Sequence, residues 1–240
     1  MKKSGVYPFD NDITLNGGYL YTTNSILSSK LANERLTKAT VEMVDLRNKR
    51  IIDVGCGDGS YTYELYKRYQ PKQIVGIDAS KNAIKLARAL YAKKGVQFVL
   101  CSIYSLTKMF DLFDIAIVRG VIHHVEHPYK AIGEIAKIAS EVVILEPNGY
   151  NPALKLIEKI SLYHRIHKEK SYPPFKLRNW INLTELKIVK DQYVGFVPFF
   201  CPDGMAKTLN VMEPWIEKLP VFCRFLCGVY VILAKKHSHV

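Results

Sequence analysis

Cysteine is scarce and badly spaced for pairing: Cys56, Cys101, Cys201, Cys223 and Cys227 are an odd set with no C-x-x-C among them. That argues against a zinc ribbon and against a secreted disulfide framework. Cys223 and Cys227 stand four apart on an expected helix, where two buried thiols are a plainer reading than half a metal site. Long apolar runs are missing too; no stretch reaches the roughly 18 residues that a membrane-spanning helix needs. The opening MKKSGVYPFDND has lysines but no apolar core, so no signal peptide is expected, and a reduced, cytoplasmic setting is. Acidic residues are the scarcer charge, 22 against 34 Lys plus Arg, which leaves a net charge of +12 over 240 residues. No Gly-X-Y period, heptad run or low-complexity tract appears, which excludes collagen, coiled coil and a long disordered chain. What remains, at 48% hydrophobic, is one domain with an ample core.

From residue 50 to 147 the pattern alternates strand and helix. Arg50–Val54, Gln73–Ile77, Val96–Leu100, Phe113–Val118 and Val142–Leu145 read as strands that are apolar on both faces. A parallel sheet covered by helices requires that character. Helices are expected at Ser60–Tyr69, after a Ser80 cap with Ile84, Ala87, Leu90 and Tyr91 inward, and near Tyr129–Ala139 after His127-Pro128. The fold class is therefore α/β: a Rossmann-like, doubly wound sheet. Residues 1–49 add an N-terminal helical cap, with a helix from about Ser25 to Leu46. Residues 148–240 add helices near 152–162 and 174–183, strands near 186–194 and 228–235, and a lid. A connection as long as Gly195 to Gly228 is uncommon without such a function.

The densest signal is Asp53-Val54-Gly55-Cys56-Gly57-Asp58-Gly59-Ser60. Glycines at a strand-to-helix turn let backbone approach a ligand, and the helix N-terminus favours negative charge there. Asp78 ends the second strand, where a carboxylate can accept both hydroxyl protons of a ribose. The third glycine of a dinucleotide fingerprint would fall at Ser60, so the diphosphate grip of NAD or FAD is incomplete.

D-V-G-C-G-D-G at 53–59, G-I-D-A-S at 76–80 and F-D-I-A-I-V at 113–118 together resemble the class I S-adenosylmethionine-dependent methyltransferases. The resemblance is strong over 50–147 and loose over 229–235. It implies a seven-stranded sheet, mostly parallel with one antiparallel strand at about 228–235, and S-adenosyl-L-methionine as cofactor. It also implies site residues. Gly55 and Gly57 would meet the methionine portion, Asp53 would orient the amino group, Asp78 would hold the ribose, and Ala79 would lie by the adenine. Ser102 and Ile103 stand where the family contacts the adenine ring, although Cys101-Ser102 replaces the Asp common there. Arg119 belongs with these cofactor contacts.

Arg119-Gly120-Val121-Ile122-His123-His124 resembles the V-L-H-type segment of small-molecule methyltransferases. His123 is the candidate base, able to take a proton near pH 6.5; the alternative is that it packs against the cofactor or donates to a carbonyl. His124 is expected in the packing. Glu146, Asn148 and Tyr150, at the end of the fifth strand and after it, are candidate walls of the acceptor pocket, with Glu146 equally readable as an orienter of its neighbours or as a turn residue. Tyr163 and His164 would sit on a lid above it. No N-P-P-Y, no Pro-Cys pair and no aspartate after the fourth strand is present, so neither amino-group methylation of adenine, nor cytosine-5 chemistry, nor a magnesium site is expected. No metal set is expected elsewhere either.

Residues 148–240 carry 14 basic and 7 acidic groups, most of the excess charge. That suits an anionic acceptor, or is a solvated face. Phe196, Phe199, Phe200, Trp215 and Phe222 would add an apolar wall. The expected function is methyl transfer to an oxygen or nitrogen of a small or medium-sized organic acceptor, with no membrane span and a homodimer left open. Its alternatives are an RNA methyltransferase using the basic face and a non-catalytic cofactor-binding subunit.

Overall fold

In a computed structural model, residues 26–161 and 170–236 are described. The central strand Arg50–Val54 shows why a sheet forms here. Ile51, Ile52 and Val54 are all sealed from solvent, so side chains on both faces need cover. In chain order the described elements are α1 (Leu27–Met43), β1 (Arg50–Val54), α2 (Ser60–Tyr69), β2 (Gln73–Asp78), α3 (Lys81–Tyr91) and β3 (Gln97–Leu100). Then come α4 (Leu106–Met109), β4 (Phe113–Arg119), α5 (Pro128–Ile138), β5 (Ala139–Pro147), α6 (Pro152–Ile160) and α7 (Pro174–Asn182). The chain closes with β6 (Leu186–Val194), α8 (Asp203–Ile216), α9 (Phe222–Leu226) and β7 (Val229–Lys236).

The seven strands form one sheet in the order β3-β2-β1-β4-β5-β7-β6. Neighbours from β3 through β5 pair parallel. β7 inserts antiparallel between β5 and β6, which is the single reversed strand expected at about 228–235. Period-two alternation divides the core. Ile52, Val54, Val75, Ile77 and Val118 face α4, α5 and α7, while Ile51, Ile74, Ile115 and Ile117 face α1, α2 and α3. None of the described helices is long and apolar enough to cross a membrane.

Ser80 does cap α3, accepting from the Ala83 amide at 3.0 Å, and Ile84 and Ala87 are buried as the spacing requires. Leu90 is not: it is 45% exposed, because it lies in the last turn of a helix that ends at Tyr91, and that turn has left the sheet. The helix before β1 is shorter than its apolar pattern suggested, Leu27–Met43, and β5 is longer, since Ala139 and Ser140 pair onward from α5 without a loop. The Gly195–Gly228 connection, expected as a lid, holds two helices. Its two ends meet, Gly228 N–H donating to the Gly195 carbonyl at 2.7 Å, and α8 and α9 lie between them. Its aromatics form no continuous wall: Phe199 packs on the core, but Phe200, Trp215 and Phe222 face solvent. Cys223 and Cys227 are free and buried, and burial pushes the Cys227 thiol well up.

Candidate active site

Strand order reverses at β1, with β2 on one side and β4 on the other, so a crevice opens at the carboxyl ends of the parallel strands. Five strand ends deliver the site there: Asp53–Gly59 after β1, Asp78–Ala79 after β2, Ser102–Ile103 after β3, Arg119–His123 after β4 and Glu146 in β5.

The glycine turn is held by β2. The Gly55 and Cys56 amides both donate to the Ile77 carbonyl at 2.8 Å, and the Gly57 amide donates to Asp78 Oδ2 at 3.0 Å. Asp78 Oδ1 accepts the Ser80 amide at 2.7 Å. Each carboxylate oxygen thus accepts one backbone amide, which fixes the carboxylate at the strand end where a ribose diol is held in this fold. Ala79 beside it is exposed.

Gly55 adopts φ +76°, and a Cβ there would sit 2.3 Å from Val121 Cγ2. Gly55→Ala is therefore expected to cost about 2–4 kcal/mol, left-handed strain adding to overpacking. The check is a lower urea midpoint at unchanged m-value; an unmoved midpoint would mean the Val121 loop yields freely.

Asp53 is sealed under this turn, and Thr62 Oγ1 donates to its Oδ2 at 2.5 Å. Burial pushes its carboxyl up to about 6, opposed by the Thr62 hydroxyl and by the Arg119 charge. Arg119 stretches across the crevice mouth. Its guanidinium lies 4.4 Å from the Tyr61 ring centroid and donates to Asn33 Oδ1 on α1. Tyr61 in turn shares a 2.8 Å hydrogen bond with Thr40, and burial lifts its phenol to about 12. Asn33, Thr40, Tyr61 and Thr62 were not anticipated. Tyr61 and Thr62 could have been, since they occupy the first turn of the helix that the glycine motif opens; Asn33 and Thr40 are brought in only by packing of α1.

Glu146 is the structural centre of the other half. It is 1% exposed, and Oε1 accepts both the Val121 and Ile122 amides at 2.8 Å. Oε2 accepts the His123 amide at 3.2 Å and contacts His123 Nδ1 at 2.7 Å. A carboxylate only accepts, so Nδ1 carries a proton toward Glu146. The His124 ring lies against that of His123, tilted by 46°, with centroids 3.7 Å apart.

Two expected pocket walls are therefore corrected. Glu146 is turned into the 121–123 loop, its oxygens taken up by three amides and His123 Nδ1, and does not present itself as a pocket wall. Asn148 is fully buried: its amide donates to the Arg224 and Cys227 carbonyls, and its oxygen accepts the Tyr150 amide. It ties the end of β5 to α9 and has no donor left for a ligand. Tyr150 is exposed. Ser102 is exposed and caps the turn at Tyr104, whereas Ile103 is 9% exposed and belongs to the core. Tyr163 and His164 lie outside the described residues.

The group of residues at the crevice fits a nucleoside bearing a charged amino-acid tail: a carboxylate at the end of β2 for the ribose, a buried carboxylate for an ammonium group, and a glycine turn for close approach. Comparison with known proteins agrees. A family model described as a methyltransferase domain matches residues 45–185. The chain belongs to that family, in keeping with the class I S-adenosylmethionine-dependent motifs. Among curated relatives, the phthiotriol/phenolphthiotriol dimycocerosates methyltransferase of Mycobacterium tuberculosis is 26% identical over 121 residues, 50% of this chain and 43% of that one. The tRNA U34 carboxymethyltransferase of Campylobacter fetus is 27% identical over 150 residues, 60% of this chain and 53% of that one. The chain spans about half the length of these relatives. In architecture it is similar to the N-methyltransferase NodS of Bradyrhizobium japonicum, solved with S-adenosyl-L-homocysteine, with a TM-score of 0.65 at 12% identity over 98% of this chain and 100% of that one.

Proposed function

We propose that this chain is an S-adenosylmethionine-dependent methyltransferase acting on an oxygen or nitrogen of a small or medium-sized organic acceptor. The observation that carries the reading is the His123–Glu146 couple, held at the end of β4 in the same crevice as Asp78 and the glycine turn. Bound there, the cofactor supplies an electrophilic sulfonium methyl group. The chain supplies alignment and proton handling. Asp78 accepts from the ribose hydroxyls, Asp53 balances the ammonium charge, and Gly55 and Gly57 let the main chain come close. His123 Nε2 takes the acceptor's proton as the nucleophile attacks, and Glu146 Oε2, on Nδ1–H, steadies the imidazolium that results. Arg119, stacked on Tyr61, closes the cofactor side of the crevice and keeps a positive charge beside Asp53. Alignment supplies most of the acceleration and the base the remainder.

The acceptor is proposed to be anionic or to carry an anionic part, from the +7 excess over residues 148–240. The same charge, with a relative named for tRNA, supports RNA as the second reading. Salt-sensitive retardation of RNA in a gel would favour it, and none at low salt removes it.

The reading is tested by calorimetric titration with S-adenosyl-L-homocysteine. The native chain should bind it, and Asp78→Ala should weaken binding by about 100-fold, the loss of two charge-assisted hydrogen bonds. No measurable affinity in the native chain overturns the proposal; equal affinity in the variant removes Asp78 from the ribose role.

A further inference from the structure

Helix α6 is built inside out. Two of its polar side chains are tied to the protein: Lys155 donates to Glu158 at 3.0 Å and to the Ser171 carbonyl, and Glu158 accepts the Ser171 amide at 2.7 Å. Three of its apolar side chains turn away, Leu156, Ile157 and Ile160 being exposed on one stripe, Ile160 at 69%, and no residue of the helix is buried. A surface helix normally does the reverse.

Helix α8 repeats the inversion. Glu213 is buried and accepts the Phe196 and Val197 amides, while Glu217 accepts the Gly195 amide and pairs with Arg35 at 2.7 Å. Val211 and Trp215, one turn apart on the outer stripe, are 71% and 74% exposed. On α9, Phe222, Phe225 and Leu226 are exposed at helical spacing. α9 adjoins α6 directly, since Asn151, the N-cap of α6, donates to the Leu226 carbonyl at 3.0 Å. α6 itself begins six residues after Glu146, so it adjoins the carboxyl end of β5.

The charges that accompany this face are basic. The acids of α6, of α8 and of the α8 C-cap other than Asp203 are the three drawn inward, Glu158, Glu213 and Glu217. Lys159, Lys207, Lys218 and Arg224 are all exposed. Apolar stripes with an aromatic, rimmed by Lys and Arg, are what an interfacial helix presents to an anionic lipid surface. A second copy of the chain would bring the same basic rim against itself, which disfavours that occupant.

We propose that the α6–α8–α9 face docks on an anionic lipid bilayer. Resting on the methyltransferase reading above, this makes the acceptor a lipid resident in that bilayer. The apolar stripes insert at the headgroup boundary, the basic rim meets lipid phosphates, and the crevice mouth next to α6 is held at the membrane surface.

The test is co-sedimentation of the full chain with vesicles of phosphatidylcholine containing about 30% phosphatidylglycerol, and with phosphatidylcholine alone. The expected result is binding to the anionic vesicles that weakens as salt rises. Ile160→Ser with Phe222→Ser should reduce it at least about tenfold, with an unchanged far-ultraviolet spectrum, because both side chains are solvent-exposed. Lys159→Glu with Arg224→Glu should weaken binding to the anionic vesicles. The docking is overturned if the chain stays in the supernatant at low salt, if the apolar pair leaves binding unchanged, or if sedimentation velocity shows a dimer that the apolar pair dissociates. Asp78→Ala should bind vesicles normally. Vesicle binding by a chain without affinity for S-adenosyl-L-homocysteine would keep the docking and remove the methyltransferase reading, and the opposite pair of results would do the reverse.

Discussion

Glu146→Gln is expected to lower turnover by on the order of 10³–10⁴-fold while cofactor affinity stays nearly constant. Oε1 of the glutamine can still receive the Val121 and Ile122 amides. The NH₂ group then faces His123 N–H and Nδ1–H, donor against donor, where Oε2 accepted both. The imidazole escapes by moving its proton to Nε2, which places a donor where the acceptor's proton should be received. Loss of the charged acceptor for a buried amide costs about 2 kcal/mol besides. Nitrogen-15 NMR of the imidazole reads the tautomer directly: Nδ1–H in the native chain, Nε2–H in the variant. A merely structural Glu146 would lose stability and leave the tautomer alone. Finding Nδ1–H in the variant, or unaltered single-turnover rates, would sink the base assignment along with its orienter.

Asp53→Asn is expected to make the chain more stable at neutral pH and a poorer binder. The carboxyl's folded pKa, about 6, lies above its ordinary value of 3.8 because burial penalises the anion. A carboxyl raised in this way contributes stability that is full below about pH 4 and is lost as pH rises through 6. Above pH 7 the native chain carries the whole penalty, about 3 kcal/mol, and an asparagine removes it while its oxygen still accepts from Thr62. Thermal midpoints should therefore fall between pH 4.5 and 7.5 in the native chain by on the order of 5 °C more than in the variant. Affinity should move the other way, down by about 10- to 100-fold, for want of the carboxylate opposite an ammonium group. In the native chain, binding should release protons near pH 6, measurable by calorimetry in buffers of different ionisation enthalpy. A native chain with the same pH slope as the variant would show that Asp53 ionises normally.

Both expectations rest on side chains of one crevice, yet only part of that crevice was legible beforehand. The glycine turn and Asp78 were readable because their constraints are local: positive φ at Gly55 and Gly57, and a carboxylate at the end of a short apolar strand. The strand positions were readable for a related reason, since side chains buried on both faces leave a run of Ile and Val with little else. Leu90 misled because periodicity records which face is apolar and not where the helix leaves the sheet. Asn148 misled because an amide next to a pocket and an amide that ties two chain segments look alike until its partners, the Arg224 and Cys227 carbonyls some eighty residues on, are seen.

By itself, then, the sequence determined an α/β sheet, its cofactor end and the family of its chemistry, because alternation, glycine spacing and strand-end carboxylates are short-range properties of the chain. Tertiary structure decided what Glu146 does, what Arg119 leans on, and which way α6 and α8 face. Those outcomes depend on hydrogen-bond partners and packing surfaces far apart in sequence. An amphipathic helix has two faces in any sequence, and only the neighbour it meets settles which is turned to the core. Here Ser171 and the loop after β6 took the polar faces and left the apolar ones outside.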